Sequence, residues 1–254
     1  MAGFGAWLFG RRAAGMLWFS NPVAPRSLIP EKPMKTALAL SLLLFTSSAL
    51  AAIVGKDVSY KAGDTVMKGY LAYDDAVKGK RAGVLVVPEW WGANDYARKR
   101  ARMLASEGYV ALVVDMYGNG QTASNPQEAG ALAGSVNRNP PVSYARLDAA
   151  RAFLDRQAGV KKGEIAALGY CFGGGVVLNA ARSGMPLKAV ASYHGVLATD
   201  ISVKPGDIKA KIRVFHGEAD PLVPPAQVDA FKTEMDNAKA DYMFVSYPGV
   251  KHTF

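Results

Sequence analysis

The sequence predicts an α/β fold with a mostly parallel central sheet and helices on both of its faces. Three observations carry this. Continuous apolar runs recur at 83–87, 110–114 and 165–169, the pattern of strands buried on both faces. A stretch with helical periodicity follows each of them, and strand–helix alternation builds a parallel sheet. The composition is that of a globular chain: 254 residues, 50% hydrophobic, 20% charged, with 26 Gly and 14 Pro. That excludes a collagen, a coiled coil and a mostly disordered chain.

The elements follow in order. Residues 56–61 and 66–73 alternate weakly around Ala62-Gly63-Asp64, which predicts a leading antiparallel hairpin. Gly83–Val87 is the first buried strand. Asp95–Ser106 is helical, with Met103 and Leu104 inward and Arg98, Lys99, Arg100 and Arg102 mostly outward. Val110–Val114 is the second buried strand, and helices follow near 126–137 and 144–157. Ile165–Gly169 is the third, before a helix over Phe172–Arg182. Ala189–Tyr193, Ile212–Phe215 and Tyr242–Ser246 complete the strands, with a helix near 225–238. No repeat or linker interrupts the pattern, so 52–254 reads as one domain. Ligands of such sheets bind at the carboxyl ends of the strands.

The first 51 residues are set apart. From Met34 the chain reads MKTALALSLLLFTSSALA: a basic start at Lys35, an apolar run over 36–45 and a small-x-small site at Ala49-Leu50-Ala51. This is the pattern of a secretory signal peptide, cleaved after Ala51, and the run is too short to span a bilayer. The expected protein is periplasmic or secreted, with no stable membrane anchor. Residues 1–33 show no period and read as a non-native extension upstream of a true start at Met34. The formal charge of +9 shrinks accordingly. Arg11, Arg12, Arg26, Lys32 and Lys35 against Glu31 leave +5 for the rest, whose basic residues are scattered. Nucleic acid is therefore not an expected partner.

The chain has one cysteine, Cys171, and three histidines, His194, His216 and His252. A lone cysteine makes no internal disulfide, and without a Cys-x-x-Cys pair a thiolate zinc site is not expected. Gly173-Gly174-Gly175 lacks the lysine of a phosphate-binding loop. Neither metal nor cofactor is expected. Gly169-Tyr170-Cys171-Phe172-Gly173 lies between a predicted strand and a predicted helix. It is the cysteine form of the G-x-S-x-G nucleophile elbow. The sharp turn strains the nucleophile's backbone, and its neighbours two residues away must lack side chains. The sulfur then meets a helix N-terminus, whose dipole favours a thiolate.

Hydrolases on such sheets place an acid and then a histidine after the nucleophile. Asp220 lies in HGEADPLVP (216–224) and His252 in PGVKHTF (248–254), each after a strand. His252 suits a base and Asp220 the acid that fixes its tautomer. His194 and His216 each precede a glycine after a strand and read as structural turn or pocket-lining residues.

These residues resemble the dienelactone hydrolase family of the α/β-hydrolase fold. The matching segments are VLVVPEWWG (84–92), VALVVDMYGNG (110–120), GYCFGGG (169–175), HGEADPLVP (216–224) and GVKHTF (249–254). The resemblance implies a Cys171–His252–Asp220 triad acting on a small ester, lactone or thioester. It also implies that Glu89 modulates the thiol, contacting Cys171 at rest and released by substrate. The backbone N–H groups of Trp90 and Phe172 would form the oxyanion hole, with Trp91 and Tyr117 lining the pocket. Family members that cleave dienelactone hold its carboxylate with two arginines. One has no counterpart in 121–133, and the other would fall beyond residue 254. The family also continues with a closing helix, so a truncated C-terminus with an uncovered apolar sheet face is expected. Two other readings stand beside this one: a non-catalytic binding protein on the same fold, and a redox sensor with a low-pKa thiol.

Overall fold

The computed structural model describes residues 53–254; the upstream extension and the signal peptide expected before them lie outside the described residues. Eight strands form one sheet in the order β1-β2-β4-β3-β5-β6-β7-β8. They are β1 (Ile53–Ala62), β2 (Thr65–Asp74), β3 (Arg81–Val87), β4 (Val110–Val113), β5 (Val160–Tyr170), β6 (Ala189–Tyr193), β7 (Lys211–Gly217) and β8 (Tyr242–Tyr247). The helices are α1 (Asp95–Ser106), α2 (Pro126–Asn137), α3 (Pro140–Asp155), α4 (Phe172–Arg182) and α5 (Pro225–Asn237). Within this sheet β1–β2 and β2–β4 pair antiparallel, and β4, β3, β5, β6, β7 and β8 run parallel. Val84, Leu85, Val86 and Val87 are all fully buried. Side chains alternate across a strand, so both faces are covered at the sheet's centre.

Local chemistry explains where elements start. The Asn94 side chain caps α1 by accepting the N–H of Ala97. The inner face of α1 is Ala97, Ala101, Leu104 and Ala105; Met103, expected inside, is half-buried. Small alanines bring the helix close to the sheet, while Arg98 and Arg102 stack on the Tyr70 ring at 4.9 and 5.4 Å. Helix α3 begins at Pro140, earlier than expected. Asn139 caps it, and prolines suit a first turn whose N–H groups need no helical partner. Strand β5 begins at Val160, which pairs with Arg81 before an irregularity in register. The polar Lys161-Lys162-Gly163-Glu164 stretch hides this start from any apolar pattern. At the β8 edge, Met243 and Tyr247 are exposed. No helix among the described residues is long and apolar enough to cross a membrane.

Candidate active site

Strand register assembles the site. Val87 pairs with Gly169, so Glu89 and Cys171 each stand two residues beyond paired positions of adjacent parallel strands. Tyr170 pairs with Tyr193, which sets His194 beside Cys171. Gly217 pairs with Tyr247, so the loops carrying Asp220 and His252 leave the sheet together. All five residues sit at the carboxyl edge of the parallel strands.

The elbow's glycines have steric causes. A Cβ on Gly169 would lie 2.0 Å from the carbonyl oxygen of Gly173. One on Gly173 would lie 2.3 Å from that of Val87 and 2.5 Å from that of Pro88. The first lets the chain turn; the second lets α4 press against the end of β3. Cys171 itself adopts φ 51° and ψ −115°, a strained conformation that costs on the order of 1–3 kcal/mol. Its N–H donates to the carbonyl of Tyr193 at 3.0 Å, and its carbonyl accepts from Gly174 at 3.0 Å, which hold the turn.

His252 links the other two predicted catalytic residues. Its Nε2 is 3.2 Å from Cys171 Sγ and its Nδ1 is 2.7 Å from Asp220 Oδ2. The Asp220 side chain is fully buried, and its Oδ1 accepts the N–H of Leu222 at 2.9 Å. Burial pushes the Cys171 thiol up to about 11; the Phe172 N–H acts against this, while the charges of Glu89 and Asp220 add to it. The helix terminus was expected to favour a thiolate, but loss of solvent outweighs it. The same shift opposes the low-pKa thiol that a redox sensor requires.

Glu89 is partly buried, and its carboxyl is raised above the ordinary range by desolvation, with His252 and Arg100 working against the rise. Glu89 acts on the thiol through its charge. The sulfur faces His252, and no hydrogen bond joins it to Glu89 among the described residues. Glu89 Oε1 instead lies 4.0 Å from His194 Nε2.

His194 is more central than a turn residue. It is 2% exposed, sits at φ 41° and meets the His252 ring edge-on at 4.7 Å. Its N–H donates to the carbonyl of Phe215 at 2.9 Å. Desolvation holds its imidazole down near 4, and the neighbouring His252 adds to the effect. The signal was available in the register: His194 follows the end of β6 as Cys171 follows the end of β5. His216 is buried on β7 with its ring 5.6 Å from Phe244.

The wall opposite comes from the loops after β3 and β4. The Asp115 carboxylate accepts the N–H groups of Lys68, Tyr117, Gly118 and Gly120 at 2.8–3.0 Å. That fixes Tyr117, whose hydroxyl donates to the Trp90 carbonyl at 2.8 Å and whose ring lies 5.8 Å from Phe172. The bond holds the peptide between Trp90 and Trp91 in place, one residue plane beyond the Trp90 N–H expected in the oxyanion hole. Trp91 packs edge-on against Trp90 at 5.4 Å, and its carbonyl accepts the N–H of Ala123. Beside the elbow is a cavity of about 300 Å3, lined by Phe172, Gly175, Tyr144, Leu147, Val196 and Asp200 among others; Cys171 is not part of its wall.

Comparison with known proteins agrees with this architecture. A curated Methylorubrum extorquens protein named "Putative carboxymethylenebutenolidase" is 27% identical over 256 residues, covering 90% of this chain and 87% of its own. Two solved structures are similar across 80% of this chain. One is m3DLH, at 34% identity and TM-score 0.76 over 85% of its chain. The other is a dienelactone hydrolase-like promiscuous phosphotriesterase from metagenomic libraries, at 33% identity and TM-score 0.74 over 84% of its chain. The sequence pattern of the dienelactone hydrolase family matches residues 67–254, from the second strand through the His252 loop, and the chain belongs to that family.

Proposed function

We propose that the chain cleaves a small carboxylic ester, lactone or thioester through a Cys171–His252–Asp220 triad. Membership of the family makes it an ester-bond hydrolase; the triad and its working are the further step. The observation that carries it is the His252 ring, 3.2 Å from the sulfur on one side and 2.7 Å from a buried carboxylate on the other. A thiol raised to about 11 is overwhelmingly protonated at neutral pH, so His252 acts as general base during attack. Cys171 Sγ bonds to the substrate carbonyl carbon as its proton passes to His252 Nε2. Asp220 stabilises the imidazolium through Nδ1. The carbonyl oxygen gains charge and accepts from the N–H groups of Phe172 and Trp90, each worth roughly 3 kcal/mol in such a site. The tetrahedral adduct expels the alcohol or thiol, which takes the His252 proton. Water, deprotonated by His252, then cleaves the acyl-cysteine thioester and regenerates the thiol.

Glu89 tunes the sulfur in this scheme: its charge disfavours thiolate before substrate arrives and gives way once substrate displaces it. The leader pattern over 34–51 supports export, with a mature N-terminus at Ala52 that intact-mass measurement would check. The direct test is a panel of p-nitrophenyl esters and lactones with and without iodoacetamide. Thiol-sensitive turnover is expected. Turnover that survives complete alkylation of Cys171, or none across the panel, would refute the triad.

A further inference from the structure

We propose that Cys171, His194 and His252 also form a binding site for a thiophilic divalent cation, Zn2+ foremost, whose occupancy blocks the nucleophile. Without a second cysteine the sequence argued against a thiolate metal site, but the fold supplies two imidazoles in place of the missing sulfur. One donor atom from each of the three residues lies within 4.8 Å of the others. A tetrahedral zinc with Zn–S near 2.3 Å and Zn–N near 2.0–2.1 Å spaces its ligands roughly 3.4–3.6 Å apart. Cys171 Sγ and His252 Nε2, at 3.2 Å, already stand close to that spacing. His194 would close by about an ångström.

One feature outside the triad points to a ligand, and a second suits it. His194 is 2% exposed, and its Nδ1 is buried without a hydrogen-bond partner, although buried polar atoms rarely go unpaired. His252 already donates from Nδ1 to Asp220, the carboxylate–imidazole pairing that orients a metal-bound histidine and raises its basicity. The left-handed backbone at Cys171 and His194 fixes both where two strand ends meet, so little ordering remains for the metal to impose. One sulfur and two nitrogens suit zinc rather than magnesium or calcium. A water completes four-coordination. On binding, the S–H bond breaks, an S–Zn bond forms and the proton leaves to solvent, with no change of oxidation state. The block on turnover rests on the hydrolase reading above; the binding rests only on the cluster.

Cobalt(II) titrated into the intact protein tests this, because a thiolate–cobalt bond absorbs in the near ultraviolet and a tetrahedral site absorbs strongly in the visible. One equivalent is expected to bind and to be displaced by Zn2+. Cys171→Ser should abolish the near-ultraviolet band, and His194→Asn should weaken binding at least tenfold. Zn2+ should shield Cys171 from iodoacetamide and stop ester turnover until a chelator is added. Proton NMR of the unmodified protein gives a readout that does not depend on a variant folding: Zn2+ should shift the ring signals of His194 and His252 and leave His216 in place. Absence of the near-ultraviolet band at millimolar cobalt, or an unmoved His194 signal, overturns the cation site. Turnover without cobalt binding leaves the hydrolase and removes the metal site; cobalt binding without turnover on any ester does the reverse.

Discussion

Adding one methyl group at Gly173 should damage the site through the backbone. An alanine Cβ there would lie 2.3 Å from the Val87 carbonyl oxygen and 2.5 Å from that of Pro88. Carbon–oxygen contacts need about 3.3 Å, so one backbone must retreat by about 1 Å. Both are held, α4 by the elbow and β3 by the sheet. Forced overpacking of this kind costs about 1–3 kcal/mol. The β3 end carries Glu89 and Trp90, and a 1 Å misplacement of catalytic groups costs about 100-fold in rate. Gly175 supplies the contrast. A Cβ there would meet the Val196 carbonyl oxygen at 3.4 Å, ordinary contact, and alanine gains about 1 kcal/mol over glycine inside a helix. Urea unfolding and kcat/KM on p-nitrophenyl acetate should separate the two. Gly173→Ala should be destabilised and about 100-fold slower, and Gly175→Ala stable and near wild type. If Gly173→Ala kept both its midpoint and its rate, the view of the elbow as a packing-limited junction would be wrong.

Three further outcomes follow from the electrostatics and bonding. Glu89→Gln removes a charge that raises the Cys171 pKa, so iodoacetamide should modify the thiol several-fold faster at pH 8 while ester turnover slows; unchanged alkylation and turnover would make Glu89 structural. Tyr117→Phe deletes the bond to the Trp90 carbonyl, worth about 1 kcal/mol, and should lower kcat several-fold with little change in KM; an unaltered kcat would dismiss Tyr117 as a positioning residue. His194, near 4 in the folded protein against an ordinary 6.5, takes up its proton earlier in the unfolded chain. Its contribution is therefore complete above about pH 6.5 and lost as pH falls toward 4, a loss on the order of 2–3 kcal/mol by pH 4.5. Between pH 7.5 and 4.5 the wild type should lose that much more stability in urea than His194→Asn, whose side chain tolerates the left-handed turn, and equal losses would mean that His194 is not held neutral.

The parts of the molecule visible in the sequence were those written in strong periodicity or in glycine. The apolar runs of β3 and β4 and the helical stretch of α2 gave their elements nearly to the residue. The start of β5 was hidden because Val160 precedes a lysine pair, and that of α3 because two prolines look like a break when they form a first turn. Cys171, Asp220 and His252 were legible because each sits in a motif at a strand's end. His194 was not, because its role comes from register: only the pairing of Tyr170 with Tyr193 sets it beside the sulfur. The sign of the thiol's shift was also out of reach, since the helix terminus is visible in the sequence and the depth of burial is not.

The central claim is that Cys171 carries the acyl group through the reaction. The most direct measurement mixes the protein with p-nitrophenyl acetate, quenches in acid within a turnover and locates the added mass by peptide mass spectrometry. The account expects a single acetyl group on the Cys171 peptide, formed with a burst of nitrophenol and absent from Cys171→Ala, whose turnover falls to background. Acetyl found only on another residue, or more than roughly a tenth of the wild-type rate retained by Cys171→Ala, would contradict it.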